Sequence, residues 1–396
     1  MHARDSQPRG ILFTAFEPSG DDHASAVIEV LRRRHPDLPI YAWGGPKMER
    51  AGATIIERTG DDAVMGVPGF RKIIEHKKIN QRIDAWLRTH DVALHVPVDS
   101  PAANTPICAI ARAHGLRVVH LVAPQIWAWG RWRIHRLRRV TDLVLCMLPF
   151  EKDFFEKRNV PARFIGHFLF DDPLDLDAVD RRTGALPEGE PRVAMMPGSR
   201  PNEIERHFPV LLEVFRRLKA RHPRAVGVVA ATSTRVESQV RAHAEQAGGW
   251  PEGLRVLVQD TDAAVRWCQV ALVKSGTVTL QVARQRRPMV VFYKKSNPVL
   301  FLLARAVLST RVFSLPNVLA RRRIVPEFIP YWGGAGPLVD ALELLIRDPA
   351  RAQGQISDID GVLAPFRGRR AADLAADALE EFLDLPASTR AVVGAA

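Results

Sequence analysis

Three short segments combine small residues, hydroxyls and charge as a phosphate-binding turn does. They are Phe16-Glu17-Pro18-Ser19-Gly20-Asp21, Pro197-Gly198-Ser199-Arg200 and Lys274-Ser275-Gly276-Thr277. Each follows an apolar run and precedes a helical pattern, so its amides would open a helix, where unpaired N–H groups favour an anion. The first segment has one glycine and matches neither the three-glycine dinucleotide fingerprint nor a P-loop. A small-residue turn before a helix also serves as a plain connection. Two such turns in one half of the chain, one of them beside Arg200, favour anion binding.

A second group joins apolar rings to positive charge. Trp127, Trp129 and Trp132 lie within six residues and are followed by Arg133, His135, Arg136, Arg138 and Arg139. Such a segment suits a lipid–water interface, where indole tolerates both phases; it also suits core packing beside a solvated helix face. Further basic groups at Arg71-Lys72, Lys77-Lys78, Arg284, Arg286-Arg287, Lys294-Lys295 and Arg321-Arg322-Arg323 favour an anionic lipid surface.

The elements that would carry these residues alternate along the chain. Strands are predicted at Ile11–Phe16, Pro39–Trp43, Val92–Val98, Arg117–Val122, Asp142–Leu148 and Arg163–Ile165. A second series runs through Arg192–Met196, Ala225–Ala230, Leu254–Val258, Val270–Val273 and Pro288–Tyr293, with helical patterns between. Strand–helix alternation predicts right-handed crossovers and parallel sheets covered on both faces. With 396 residues the chain exceeds one core, so two doubly wound α/β domains meeting at a cleft are expected. The boundaries read as 1–170, a Pro- and charge-rich linker at 171–190, 191–370, and a helix with an Ala-rich tail at 371–396.

Composition narrows the classes. A content of 46% hydrophobic and 25% charged residues excludes a disordered or collagen-like chain, and a net charge of +12 points to an anionic partner. No RNA- or DNA-binding module accompanies the charge, so nucleic acid is not the expected partner. Cys108, Cys146 and Cys268 are too far apart for a zinc site and odd in number, which predicts buried reduced thiols. Met1–Gly10 lacks a leader's apolar core, and Val299–Leu308 is too short to span a bilayer, so any membrane contact is expected from the surface.

Eleven short segments then occur in one order: Glu17-Pro18-Ser19-Gly20-Asp21, Gly44-Gly45-Pro46-Lys47-Met48, Val64-Met65-Gly66, Asp99-Ser100-Pro101, Pro124-Gln125-Ile126-Trp127-Ala128-Trp129, Leu148-Pro149-Phe150-Glu151-Lys152 and Gly166-His167, followed by Pro197-Gly198-Ser199-Arg200, Ser275-Gly276-Thr277, Pro288-Met289-Val290-Val291 and Ser314-Leu315-Pro316-Asn317. From about residue 11 to residue 328 the chain resembles the lipid-A-disaccharide synthase family. The resemblance implies an inverting glycosyltransferase with two Rossmann-like domains facing a central cleft, the GT-B arrangement. It implies transfer of 2,3-diacylglucosamine from UDP to the 6-hydroxyl of 2,3-diacylglucosamine 1-phosphate, releasing UDP. No metal or cofactor is implied. A location on the cytoplasmic face of the inner membrane is implied, and association into a homodimer through the C-terminal region is allowed.

By the same resemblance Asp99 is the candidate general base, with Glu17 beside it in catalysis, although a strand-end aspartate also caps turns. Ser19, Gly20, Asp21, Met65, Asn104, Trp127 and Arg133 are candidates for acceptor binding, with helix capping the expected role of Ser19. Gly198, Ser199, Arg200, Ser275, Gly276, Thr277, Gln281 and Asn317 are candidates for the UDP site. His167 is expected to be structural, and Glu327 matches the family without an assigned role. The chain departs from the pattern at Phe16, where glycine is usual, at Ala102 and Ala103, and at Phe168. Gln281 replaces a glutamate that would take the ribose hydroxyls, which predicts weaker nucleotide binding. The alternatives are another UDP-sugar enzyme of the same fold, or a degenerate relative that binds without turnover.

Overall fold

The computed structural model describes residues 9–59, 70–294 and 310–385, and of 70–73 the backbone alone. Met65 and the apolar Val299–Leu308 segment lie outside the described residues. The described residues up to Asp171 join those from Gly368 onward in one compact unit, and Asp172–Arg367 form the second.

The first unit is built on β1 (Gly10–Ala15), β2 (Ile40–Gly44), β3 (Thr54–Arg58), β4 (Val92–Val98), β5 (Arg117–Leu121), β6 (Leu143–Cys146) and β7 (Ala162–Phe164). They form a parallel sheet in the order β3-β2-β1-β4-β5-β6-β7. Strand β1 is buried along its whole length, as a central parallel strand covered on both faces must be, and its apolar run made it readable. β3 is only partly buried at the sheet edge, and its mixed sequence carries no clear run; the sequence reading missed it. The Pro18–Arg34 helix turns Ala24, Val27, Ile28 and Leu31 inward at helical spacing. Proline at the first helical position opens the Pro18–Arg34, Pro46–Arg50, Pro101–Ala113 and Pro149–Glu156 helices, where a missing N–H costs nothing.

The second unit holds β8 (Arg192–Met196), β9 (Val226–Ala231), β10 (Leu254–Val258), β11 (Val270–Lys274), β12 (Met289–Lys294) and β13 (Glu327–Tyr331). Its parallel order is β10-β9-β8-β11-β12-β13. β13 also escaped the sequence reading: it is an edge strand interrupted by Pro330, a residue confined to sheet edges because it lacks a donor. The Pro201–Arg221 helix buries Ile204, Phe208, Leu211, Phe215 and Leu218 against the sheet.

Two organisational expectations change. Residues 172–190 belong to the second unit and contain a Leu176–Thr183 helix, capped by Asp175 and tied by Arg182 to Asp260 at 2.7 Å and by Asp180 to Arg266 at 2.6 Å. Those partners lie far along the chain, which is why the segment read as a linker. The Ala371–Phe382 helix, unassigned from sequence, packs Ala371, Ala375, Ala378 and Leu379 into the first unit's core. Arg34 reaches Asp377 at 2.8 Å and Glu380 at 3.3 Å, while the Asp171 carboxylate caps the helix through the amides of Ala371 and Ala372. All three cysteines are free and buried.

Candidate active site

In each sheet the chain order reverses beside the first strand, between β1 and β4 in one unit and between β8 and β11 in the other. Loops leaving the carboxyl ends of these strands diverge and leave a crevice, the usual ligand position in open α/β sheets. Several of the predicted residues collect there. Glu17 follows β1 and Asp99 follows β4; Gly198, Ser199 and Arg200 follow β8, and Ser275, Gly276 and Thr277 follow β11.

In the first unit Asp99 and Ser100 both adopt left-handed backbone, with φ of 46° and 40°. Such a conformation costs a non-glycine residue on the order of 1–2 kcal/mol, so surrounding bonds must hold it. The Asp99 N–H donates to the Leu121 carbonyl at 3.0 Å. Ser100 Oγ donates to Glu17 Oε1 at 3.0 Å, tying the two carboxylate-bearing turns together. Burial pushes the Asp99 carboxyl above its ordinary value, the negative charge of Glu17 adds to this, and the Ser100 amide opposes it. A half-buried carboxylate with a raised proton affinity is suited to accepting a proton from a sugar hydroxyl.

Several neighbours have a different part from the one expected. Asn104 is fully buried: its Nδ2 donates to the Val98 and Asp99 carbonyls at 3.1 and 2.9 Å, and its Oδ1 accepts from Thr14. It supports the Asp99 turn and has no atom left for an acceptor. Asp21 is buried and accepts from the amides of Lys47 and Met48, both at 3.0 Å, so it caps the Pro46–Arg50 helix. A Cβ on Gly45 would collide with that carboxylate. Gly20 is also buried, where a Cβ would stand 3.2 Å from that of Ala15; its role is close helix–strand packing. Ser19 is exposed and caps nothing, because the capping position falls on Glu17.

Trp127 is half-buried, stacked edge-on against Phe150 at 4.9 Å, and donates from Nε1 to Glu151 Oε1 at 2.9 Å. Glu151 also accepts from the Leu148 amide at 2.9 Å. Burial pushes its carboxyl up to about 7 against these bonds, with the charge of Asp99 adding slightly. The sequence reading passed over Glu151; its signal was an acid at the third helical position after Leu148-Pro149. Arg133 lies 3.8 Å over the Trp129 ring and bonds the Trp129 carbonyl at 3.2 Å, so its guanidinium braces this turn. Trp129 and Trp132 remain 46% and 61% exposed.

In the second unit Gly198 has φ of 116°, and any Cβ there would strike Glu203. The Glu203 carboxylate gathers the two loops: Lys274 Nζ stands at 2.9 Å, Arg200 Nη1 at 3.4 Å and the Ser199 amide at 3.3 Å. Burial raises its carboxyl, but the Lys274 bond and charge, with Arg200, outweigh this and hold it below the usual value. Two cations against one carboxylate leave a positive charge between loops whose Ser199, Arg200 and Thr277 are exposed. That arrangement suits a diphosphate. His207 Nδ1 donates to the Pro197 carbonyl at 2.8 Å and steadies the turn from below. Glu203 was missed from sequence, and Lys274 was read only as the first residue of the Lys274-Ser275-Gly276-Thr277 turn, with no role of its own. Gln281 is partly exposed one turn further on.

Asn317 is not at this surface. It is fully buried, its Oδ1 accepting from the Ile324 and Val325 amides at 2.7 and 2.9 Å and its Nδ2 donating to Glu327 at 2.9 Å. Glu327 also takes the Phe313 and Ser314 amides and the Ser314 hydroxyl, so this pair closes the 313–327 loop. His167 is likewise structural, its Nδ1 accepting from the Leu169 amide at 3.1 Å.

Two doubly wound units with a switch-point site in each define the class of GT-B glycosyltransferases and related epimerases. Among solved structures, an S. aureus MnaA–UDP structure matches with a TM-score of 0.64 at 10% identity, covering 95% of this chain and 97% of that one. A Neisseria meningitidis UDP-GlcNAc 2-epimerase bound to UDP-GlcNAc gives 0.61 at 10% identity, covering 94% and 99%. Within that class the chain belongs to the lipid-A-disaccharide synthetase family, which it matches over residues 11–362. Lipid-A-disaccharide synthase of Anaeromyxobacter dehalogenans is 35% identical over 367 residues, 89% of this chain and 92% of that protein. The Azotobacter vinelandii enzyme is 33% identical, covering 92% and 96%. The chain is a glycosyltransferase of lipid A biosynthesis. Among the described residues, no helix is long and apolar enough to cross a membrane.

Proposed function

We propose that the first unit binds 2,3-diacylglucosamine 1-phosphate and that the second holds UDP-2,3-diacylglucosamine. Asp99 removes the proton of the acceptor 6-hydroxyl as that oxygen attacks C1 of the donor sugar. The C1–O bond to the diphosphate breaks, UDP leaves with the electron pair, and C1 inverts. Arg200, Lys274 and the Ser199 and Ser275–Thr277 backbone balance the charge on the leaving diphosphate. Gln281 meets the ribose without a formal charge. The UDP and UDP-GlcNAc named for the structural neighbours support a uridine nucleotide as the donor's leaving group. The observation that carries this reading is the distribution of charge, a raised carboxylate at one switch point and two cations at the other.

The Trp129–Arg158 face is the part we assign to an anionic membrane surface. A cavity of about 390 Å³ is lined by Arg131, Trp132, His135, Arg138 and Arg158 with no acidic residue among its lining. Arg82, Arg88, Arg112 and Arg163 of the same unit pair with carboxylates, whereas Arg131, Arg138 and Arg158 have no such partner among the described residues. Exposed indoles beside unpaired cations match the interfacial region of a bilayer, which is where both acylated substrates reside.

Incubation with both substrates, following UDP and lipid product together, tests the reaction. Asp99→Asn should fold normally and lose about 10²–10⁴-fold in turnover, the range of a general base. Near wild-type rates would remove the base assignment; UDP release without disaccharide would point to another acceptor.

A further inference from the structure

We infer that Thr14 and His95, acting through Asn104, are positioning residues that hold the Asp99 turn through one directed chain of buried hydrogen bonds. The inference rests on Asp99 as the base. All three side chains are fully buried, so none can touch substrate. Thr14 lies on β1, His95 on β4, and Asn104 on the helix that follows Asp99, so the chain crosses the switch point beneath the candidate base.

The direction of every proton follows from the acceptors. One terminal atom of the Asn104 amide faces the Val98 and Asp99 carbonyls, which only accept; it is therefore the nitrogen, and both of its protons are used. The other atom is the oxygen, which receives the single proton of Thr14 Oγ1 at 2.7 Å. Having given that proton, the hydroxyl can only accept from His95 Nε2 at 2.9 Å. His95 must then be the neutral tautomer protonated on Nε2. Burial agrees, driving its pKa to about 3, with His120 nearby adding to the effect.

Apolar residues would fill these positions without hydrogen-bond obligations, and three buried polar groups are costly unless each is satisfied. Thr14 and Asn104 are satisfied on every proton they carry and His95 through Nε2, its Nδ1 being buried without a hydrogen-bond partner, and this directed chain imposes one geometry. Its last two bonds end on the carbonyls of Val98 and Asp99, at the start of two consecutive left-handed residues. Packing alone would not hold that turn in register with Glu17.

The test uses the full-length protein. Thr14→Val preserves shape and removes the link, so kcat should fall roughly tenfold to a hundredfold while KM for both substrates stays within about twofold. Thr14→Ser should recover most of the rate. Nitrogen NMR of labelled histidine should show His95 protonated on Nε2 and unchanged between pH 5 and 8, with its signal displaced in Thr14→Val. An unaltered kcat in Thr14→Val alongside a turnover loss in Asp99→Asn overturns the inference. So does a failure of Thr14→Ser to restore rate, or an Nδ1-protonated His95. Normal turnover in Asp99→Asn with a slowed Thr14→Val removes the base and with it the inference, leaving Thr14 a different role in turnover. If both variants are unimpaired, the base and the positioning role fall together.

Discussion

Glu17 and Asp99 are carboxylates linked through Ser100, whose hydroxyl donates to Glu17 and whose amide bonds Asp99, and their repulsion helps set where Asp99 ionises. A base must be deprotonated to act, so turnover should rise as pH passes through the raised Asp99 value. Removing the neighbouring charge lowers that value. Glu17→Gln should therefore move the acidic limb of the kcat/KM profile to lower pH, measurable between pH 4 and pH 8. A limb that stays in place would show that the Glu17 charge does not reach Asp99. The family resemblance pointed to both acids, which follow predicted strands in Glu-Pro and Asp-Ser-Pro. It did not reveal that Asn104 and Asn317 turn inward. An amide reads the same on either side of a turn, and its direction depends on which carbonyls and amides the fold brings to it.

Among the elements, the Pro46–Arg50 helix shows how a residue from one segment completes another. Asp21, in the first turn of the Pro18–Arg34 helix, read as part of a ligand-facing loop, yet its two oxygens serve the amides of Lys47 and Met48. Asp21→Ala should cost about 1 kcal/mol of stability, as loss of a helix cap does, with turnover of the folded enzyme unchanged. Urea unfolding beside steady-state kinetics checks this; lost turnover at unchanged stability would return Asp21 to the substrate site. Central strands were legible because a parallel strand covered on both faces is a continuous apolar run. The edge strands β3 and β13 carry mixed sequences and a proline, so only their pairing with β2 and β12 identifies them.

The whole molecule carries a net charge of +12, but position decides what the charge can do. Many arginines are neutralised by local acids, and the unpaired ones beside Trp132 form the face assigned to lipid. Binding to vesicles containing anionic lipid should weaken by roughly 1 kcal/mol for each of Arg131→Ala and Arg138→Ala and should fall with salt. Equal binding to neutral vesicles, or no effect of either substitution, would remove that assignment. The family, the alternation of strands and helices, and most core strands were determined by sequence alone, since local apolar periodicity and ordered short segments carry them. Tertiary structure decided the rest. Ala371–Phe382 joined the first unit through Arg34 and Asp171, and Glu203 drew Arg200 and Lys274 together. Left-handed Asp99 came to rest on Asn104. Each of these depends on partners distant in the chain, and hydrogen-bond direction and ion pairing are properties of where side chains meet rather than of the order in which they are joined.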